Sequence, residues 1–108
     1  MAAQRPRVKV PKSAKAGEVF EIKTLVKHSM ESGLRKGKDG KKIPRNIINK
    51  FECAFNGTPV FTMHLEPAVS ANPYIAFYQK ASASGEYTFA WTDDKGDTVT
   101  ANAKITVG

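Results

Sequence analysis

Apolar and polar residues alternate with a period of two along most of this sequence, and this constrains the fold more than any other feature. Between residues 18 and 29, one face takes Phe20, Ile22, Thr24, Val26 and His28. Near the C-terminus, another face takes Tyr87, Phe89 and Trp91. Successive side chains of a strand point to opposite faces, so alternation predicts strands with one buried face. No window shows a convincing helical period.

Turn signals separate the alternating segments into about seven short strands. The predicted strands are 7–10, 18–29, 46–55, 58–65, 74–81, 85–92 and 98–107. Asn56-Gly57 predicts a tight hairpin, and the run from Asp93 to Gly96 predicts another. Seven short strands in about 100 residues predict an all-β fold, an immunoglobulin-like antiparallel β-sandwich without the inter-sheet disulfide.

Composition bounds the kind of protein. The 108 residues are 41% hydrophobic and 25% charged, which is ordinary for a single globular domain. We expect one domain over residues 1–108, with residues 1–6 forming a flexible basic N-terminus. No apolar stretch approaches the roughly 18 residues of a membrane span, and the N-terminus lacks the apolar core of a signal peptide. Cys53 is the one cysteine, so an internal disulfide is excluded.

Charge is distributed unevenly along the chain. Residues 1–50 hold fourteen Lys or Arg and four acids, whereas residues 51–108 hold three and six. The densest part is residues 35–45, here called the basic finger, with six Lys or Arg and the single acid Asp39. Asp39-Gly40 predicts a tight turn at its centre, so we expect a small β-ribbon or ordered loop between two strands.

The basic finger admits two functional interpretations beyond a solvated loop. Its cations would grip phosphates, but it has no aromatic side chain on which bases could stack, so we expect no physiological nucleic-acid binding. Its mixture of apolar and basic residues is better suited to a protein interface with an electrostatic rim. The predicted docking residues are Leu34, Arg35, Lys36, Lys38, Lys41, Lys42, Ile43, Pro44 and Arg45. The alternative is a β-sandwich module that binds nucleic acid or another polyanion.

Catalytic and metal chemistry find little support in the residue pattern. A copper site would use the soft ligand types, but no two of them stand at a recognised metal-ligand spacing: His28, His64, Met30, Met63 and Cys53. Cys53 lies in an apolar register, which hides a thiol and raises its pKa. Asp93 and Asp94 fall in a predicted turn, where Asp is favoured for local backbone hydrogen bonds. We therefore expect no enzyme activity, no cofactor and no metal.

Three segments, in order and covering nearly the whole chain, resemble the Z subunit family of the Sox thiosulfate-oxidising carrier complex, SoxYZ. They are HSMESGLRKGKDGKKIPRNIINKFECAFNGTPVF, EPAVSANPYIAFY and GEYTFAWTDDKGDTVTANAKITV. The most diagnostic pieces are MESGLRK followed by IPRNII, the ANPY turn and the FAWTDDKG hairpin. The resemblance implies an immunoglobulin-like fold, in agreement with the alternation.

The resemblance also implies partners and a location. A Z subunit is a non-catalytic chain that binds the Y subunit, whose C-terminal arm cysteine carries sulfur intermediates between periplasmic Sox enzymes. This chain ends KITVG without a cysteine, so we do not expect it to be the carrying subunit. We expect a heterodimer exported to the periplasm through the signal of Y, with transient docking of the enzymes and no membrane contact. An isolated chain would have an edge strand free for homodimer formation.

Overall fold

The computed structural model describes residues 4–28, 30, 36–37, 40–41, 45–65 and 73–108. Within these ranges, eight strands run in chain order: β1 Gln4–Lys9, β2 Ser13–Ala14, β3 Val19–Lys27, β4 Ile48–Phe55, β5 Thr58–His64, β6 Tyr74–Lys80, β7 Gly85–Asp93 and β8 Thr98–Val107. There is no helix in these described ranges, hence none with the length and apolarity to cross a membrane.

The strands form two packed sheets. One sheet has three strands in the order β1-β3-β6, and the other has five in the order β2-β8-β7-β4-β5. All pairs are antiparallel except the two-residue β2, which runs parallel to β8. The predicted all-β immunoglobulin-like sandwich is therefore confirmed. The sequence pattern misses β2, because two residues cannot display a period, and places the start of β1 three residues late.

The alternation identifies the core correctly. Phe20, Ile22, Thr24, Val26 and His28 are all buried along β3 and just after it. Across the sandwich, Phe51 of β4 lies at the centre of an aromatic cluster. Its ring centroid is 5.2 Å from that of Trp91, 6.0 Å from Phe77 and 6.3 Å from Phe89. These rings join β4 and β7 of one sheet to β6 of the other, which holds the two layers together.

Both predicted hairpins are present. Asn56 and Gly57 have φ values of 50° and 84°, as the mirror-image turn between β4 and β5 requires. The Asn56 side chain also accepts a hydrogen bond from the Glu86 amide at 2.9 Å, tying this turn to β7. At the other end of the sandwich, the β7–β8 turn closes when the Gly96 amide donates to the Asp93 carbonyl at 3.0 Å. The basic finger leaves the fold at this second end, between β3 and β4.

Candidate docking surface

The described part of the basic finger contains a tight turn and two exposed lysines. The Gly40 amide donates to the Gly37 carbonyl at 3.0 Å, and the Gly37 amide donates to the Lys41 carbonyl at 2.8 Å. Gly40 has a φ of 78°, which favours glycine. Lys36 and Lys41 are exposed on either side of this turn. The other predicted docking residues except Arg45 lie outside the described residues: Leu34, Arg35, Lys38, Lys42, Ile43 and Pro44.

Arg45 anchors the C-terminal base of the finger to the β7–β8 turn. Its Nε and Nη2 donate to the two carboxylate oxygens of Asp94 at 2.7 and 3.0 Å. Asp94 also accepts the Asn49 side-chain amide at 2.9 Å and the Ile47 backbone amide at 3.2 Å. A two-pronged arginine–carboxylate pair fixes orientation as well as distance. The chain therefore enters β4 along a defined path.

Because Asp94 accepts these hydrogen bonds as a carboxylate, part of the stability of the fold should be lost at acidic pH. The hydrogen bond from Arg45, helped by those of Asn49 and Ile47, lowers the pKa of Asp94 from 3.8 to about 2, against the opposing effect of burial. A carboxyl whose folded pKa is depressed stabilises the fold above its unfolded pKa, and this contribution is lost as the pH falls through the folded pKa. We expect Asp94→Asn to lower the free energy of unfolding at pH 7 by about 1–2 kcal/mol, since Arg45 is half exposed.

Denaturant unfolding at several pH values checks this expectation. The difference in the free energy of unfolding between wild type and Asp94→Asn should become smaller as the pH falls from about 4 to about 2. Glu52→Gln is the matched control, because the Lys50–Glu52 pair at 3.1 Å is exposed and should contribute little. A constant difference across this pH range would mean that the Asp94 charge does not stabilise the fold.

A buried polar chain links the end of β3 to the start of β4. The His28 Nδ1 accepts the Met30 backbone amide at 2.9 Å, and the Met30 sulfur accepts the Ile48 amide at 3.2 Å. The remaining proton of a neutral His28 is then on Nε2, which lies 3.7 Å from Asp93 Oδ2. Burial lowers the pKa of His28 despite the opposing Asp93 charge, so the folded state holds a neutral imidazole.

The soft ligand types do not come together. Cys53 is buried mid-strand in β4, and His28 is buried beside Asp93, as the alternation predicts. His64 is exposed at the end of edge strand β5. Within the described ranges, no group of three or more His, Cys, Asp or Glu residues is arranged to hold a metal ion. Burial raises the pKa of the Cys53 thiol to about 12, so it is not a thiolate at neutral pH.

Comparison with models of protein families shows to which family the chain belongs. The family model described as "Sulphur oxidation protein SoxZ" matches residues 8–104. The chain belongs to the SoxZ family. This agrees with the resemblance in the sequence and places the chain among the sulfur-oxidation (Sox) proteins. No curated protein matches the sequence.

Solved structures of the same fold include both a Sox protein and a reductase. The sulfur carrier protein SoxY from Chlorobium limicola is 9% identical, with a TM-score of 0.66 over 95% of this chain and 78% of that one. Superoxide reductase (neelaredoxin) from Ignicoccus hospitalis is 18% identical, with a TM-score of 0.76 over 98% and 82%. At these identities the similarity shows the fold alone. The SoxZ family member and the SoxY structure therefore share one architecture.

The sequence does not reveal two features of the finger's base. Arg45 and Asp94 are 49 residues apart, and no local pattern predicts their pairing. Asp93 is predicted as a turn residue, and its Oδ1 does accept the amides of Lys95 and Asp97 at 3.0 Å each. Its burial against His28 is not predicted. A partial signal was available, since His28 continues the buried face of β3 beyond the last apolar residue.

Proposed function

We propose that this chain is the non-catalytic, partner-binding subunit of a SoxYZ sulfur carrier complex. It binds a Y-type subunit whose C-terminal arm cysteine carries sulfur intermediates during thiosulfate oxidation in the periplasm. The observation that carries this proposal is the SoxZ family match over residues 8–104. The shared fold of the SoxY structure supports it, because two sandwiches of one architecture are suited to form a pseudo-symmetric pair.

The state of the one cysteine supports a role other than sulfur carrier. A thiol that carries sulfur intermediates must be reached by other proteins and must react as the thiolate. Cys53 is 1% exposed, and burial raises its pKa to about 12. The covalent chemistry is therefore assigned to the partner, and this chain contributes binding and positioning.

Replacing Cys53 tests this division of labour. In a strain that lacks the gene for this chain, we expect the wild-type chain and Cys53→Ala to restore thiosulfate oxidation to rates within about twofold of each other. The variant should lose only about 1 kcal/mol of stability, since a small side chain is shortened in the core. If Cys53→Ala folds but restores no oxidation, the cysteine takes part in the chemistry and the proposal is wrong. If the wild-type chain restores none either, the chain has no role in thiosulfate oxidation.

The basic finger is proposed as a docking element for the enzymes that visit the complex. Lys36 and Lys41 are exposed, and Arg45 fixes the C-terminal end of the finger to the sandwich. A loop with one end already fixed loses less entropy on binding than a free loop. Exposed charges of this kind raise encounter rates more than affinity.

Charge reversal in the finger should therefore slow thiosulfate oxidation in a salt-dependent way. We expect Lys36→Glu, Lys41→Glu and Lys42→Glu together to reduce the rate in a reconstituted Sox system by about tenfold at low salt, with a smaller effect at high salt. The matched control reverses three exposed lysines elsewhere, Lys12, Lys15 and Lys104, with the same change in net charge. A wild-type rate for the finger variant at low salt would contradict docking through the finger.

A further inference from the structure

Exposed apolar side chains are concentrated on one side of the sandwich. Of the five large hydrophobic residues that are exposed in the described ranges, four lie on β5 and β6. They are Val60 (37% exposed), Met63 (40%), Tyr74 (59%) and Tyr78 (67%). These four residues and the two strands that carry them are called the open side below. Tyr74 and Tyr78 alternate with the buried Ile75 and Phe77 and so face outward from the three-stranded sheet, whereas Met63 lies on β5 opposite the buried Phe51. Exposed apolar residues on two adjoining strands favour an interaction surface.

The open side is also where both sheets end. Strand β5 is an edge of the five-stranded sheet, and β6 is an edge of the three-stranded sheet. The rings of Phe61 and Phe77 stack with centroids 4.3 Å apart and an interplanar angle of 6°, which brings these two edges together. Within the described residues no further strand pairs with the outer side of β5 or β6, so two sheet edges lie next to each other.

Charged residues that usually protect an edge are missing from β5. Its sequence, TPVFTMH, contains no Lys, Arg, Asp or Glu. By contrast, the opposite edge of the three-stranded sheet, β1, has Arg7 and Lys9 exposed. Lysines and prolines on an edge prevent pairing with another chain, and β5 has only Pro59 near its start. The sequence of β5 is thus compatible with pairing.

The position of Met63 shows that the core is incomplete here. Met63 pairs with Phe51, which is fully buried, so both side chains point to the inner face of the five-stranded sheet. Met63 is nevertheless 40% exposed. Phe61, on the same face, is covered by Phe77 from the three-stranded sheet. An adjacent apolar surface from another chain would complete the burial of Met63.

We propose that the open side is the surface that binds the Y-type subunit, with β5 and Met63 packed against an edge of the partner sandwich. This inference rests on the proposed function for the identity of the partner. Charge favours a different chain over a second copy: this chain carries a net charge of +7, so two copies repel each other. A neutral or acidic sandwich meets no such repulsion. The SoxY structure shares this fold, so a Y-type partner is expected to be a sandwich that also has sheet edges.

The test is a binding titration between the purified chain and the Y-type subunit encoded with it. The variant is Val60→Glu with Met63→Glu, which adds two charges to β5 at exposed positions. The control is Thr100→Glu with Asn102→Glu, which adds the same charges at exposed positions of β8, away from the open side. We expect the Kd of the β5 variant to rise at least 100-fold and that of the control to change less than threefold. Hydrogen exchange should show protection of β5 and β6 in the complex.

Three other outcomes are possible, and each contradicts a different part of the proposal: the surface, the proposed function or the identity of the partner. If the wild-type chain binds Y and the β5 variant binds equally well, the open side is not the interface, while the proposed function stands. If the folded wild-type chain binds no Y-type subunit, the proposed function fails, and the inference fails with it. If sedimentation shows a stable wild-type homodimer that the β5 variant dissociates, the open side binds a second copy and the assigned occupant is wrong. Circular dichroism of both variants confirms that they are folded.

Discussion

Replacing Phe51 with alanine should lower the free energy of unfolding by about 3–5 kcal/mol, the largest effect expected from a single substitution in this chain. Phe51 is fully buried, and four aromatic rings surround it, with centroid distances from 5.2 Å to Trp91 up to 6.3 Å to Phe89. Its removal costs the burial of the ring and leaves a cavity between the sheets. Domains of this size are stable by about 5–15 kcal/mol, so the loss is a large fraction of the total.

Thermal and denaturant unfolding measure this effect directly. We expect the melting temperature of Phe51→Ala to fall by at least about 15 °C. Tyr78→Ala provides the matched control, because it truncates an aromatic side chain that is 67% exposed and should change stability by less than about 1 kcal/mol. Equal losses in the two variants would mean that the aromatic cluster does not hold the sheets together as described.

Asp93→Ala should produce the second largest loss, about 2–4 kcal/mol. One oxygen of Asp93 accepts two backbone amides in the β7–β8 turn, and the other faces the buried His28 at 3.7 Å. Removing the carboxylate leaves those turn amides without this acceptor. It also removes the negative charge that opposes the lowering of the His28 pKa. The end of the sandwich where the basic finger begins should loosen as a result.

Asp97→Ala is the control for Asp93→Ala, since Asp97 lies in the same turn with an exposed side chain. We expect it to change stability by no more than about 0.5 kcal/mol. Denaturant midpoints of both variants at pH 7 make the comparison. If the two variants lose the same amount, the buried carboxylate does not contribute beyond its place in the turn.

The fold is largely predictable from this sequence because its strands each have one buried face. Tyr87, Phe89 and Trp91 could be placed in the core from their spacing alone, and the structure confirms them. Ile48 departs from this alternation. It is buried next to Ile47, which strict alternation forbids, because the β4–β7 pairing shifts register between Ile48 and Lys50. Irregularities of this kind depend on the partner strand and leave no local signature.

The candidate surfaces are less predictable, for a related reason. The charge of the basic finger is visible in the sequence, but its attachment through Arg45 and Asp94 depends on a contact across 49 residues. No local sequence pattern predicts that the open side is exposed, since Met63 and Phe61 have the same alternation as buried residues. In the described residues the opposite sheet has three strands against five, and strand number is a property of the whole fold.

The proposed assembly is tested by capturing the tagged chain from its own cells and measuring the intact mass of whatever co-purifies. We expect a nearly stoichiometric partner with a cysteine on a glycine-rich C-terminal arm, carrying additional sulfur mass when the cells oxidise thiosulfate. A chain that is recovered alone, as a homodimer or with nucleic acid would contradict it. In that case membership of the family would indicate the fold but not the function, and the basic finger would have to be reconsidered as a site that binds polyanions.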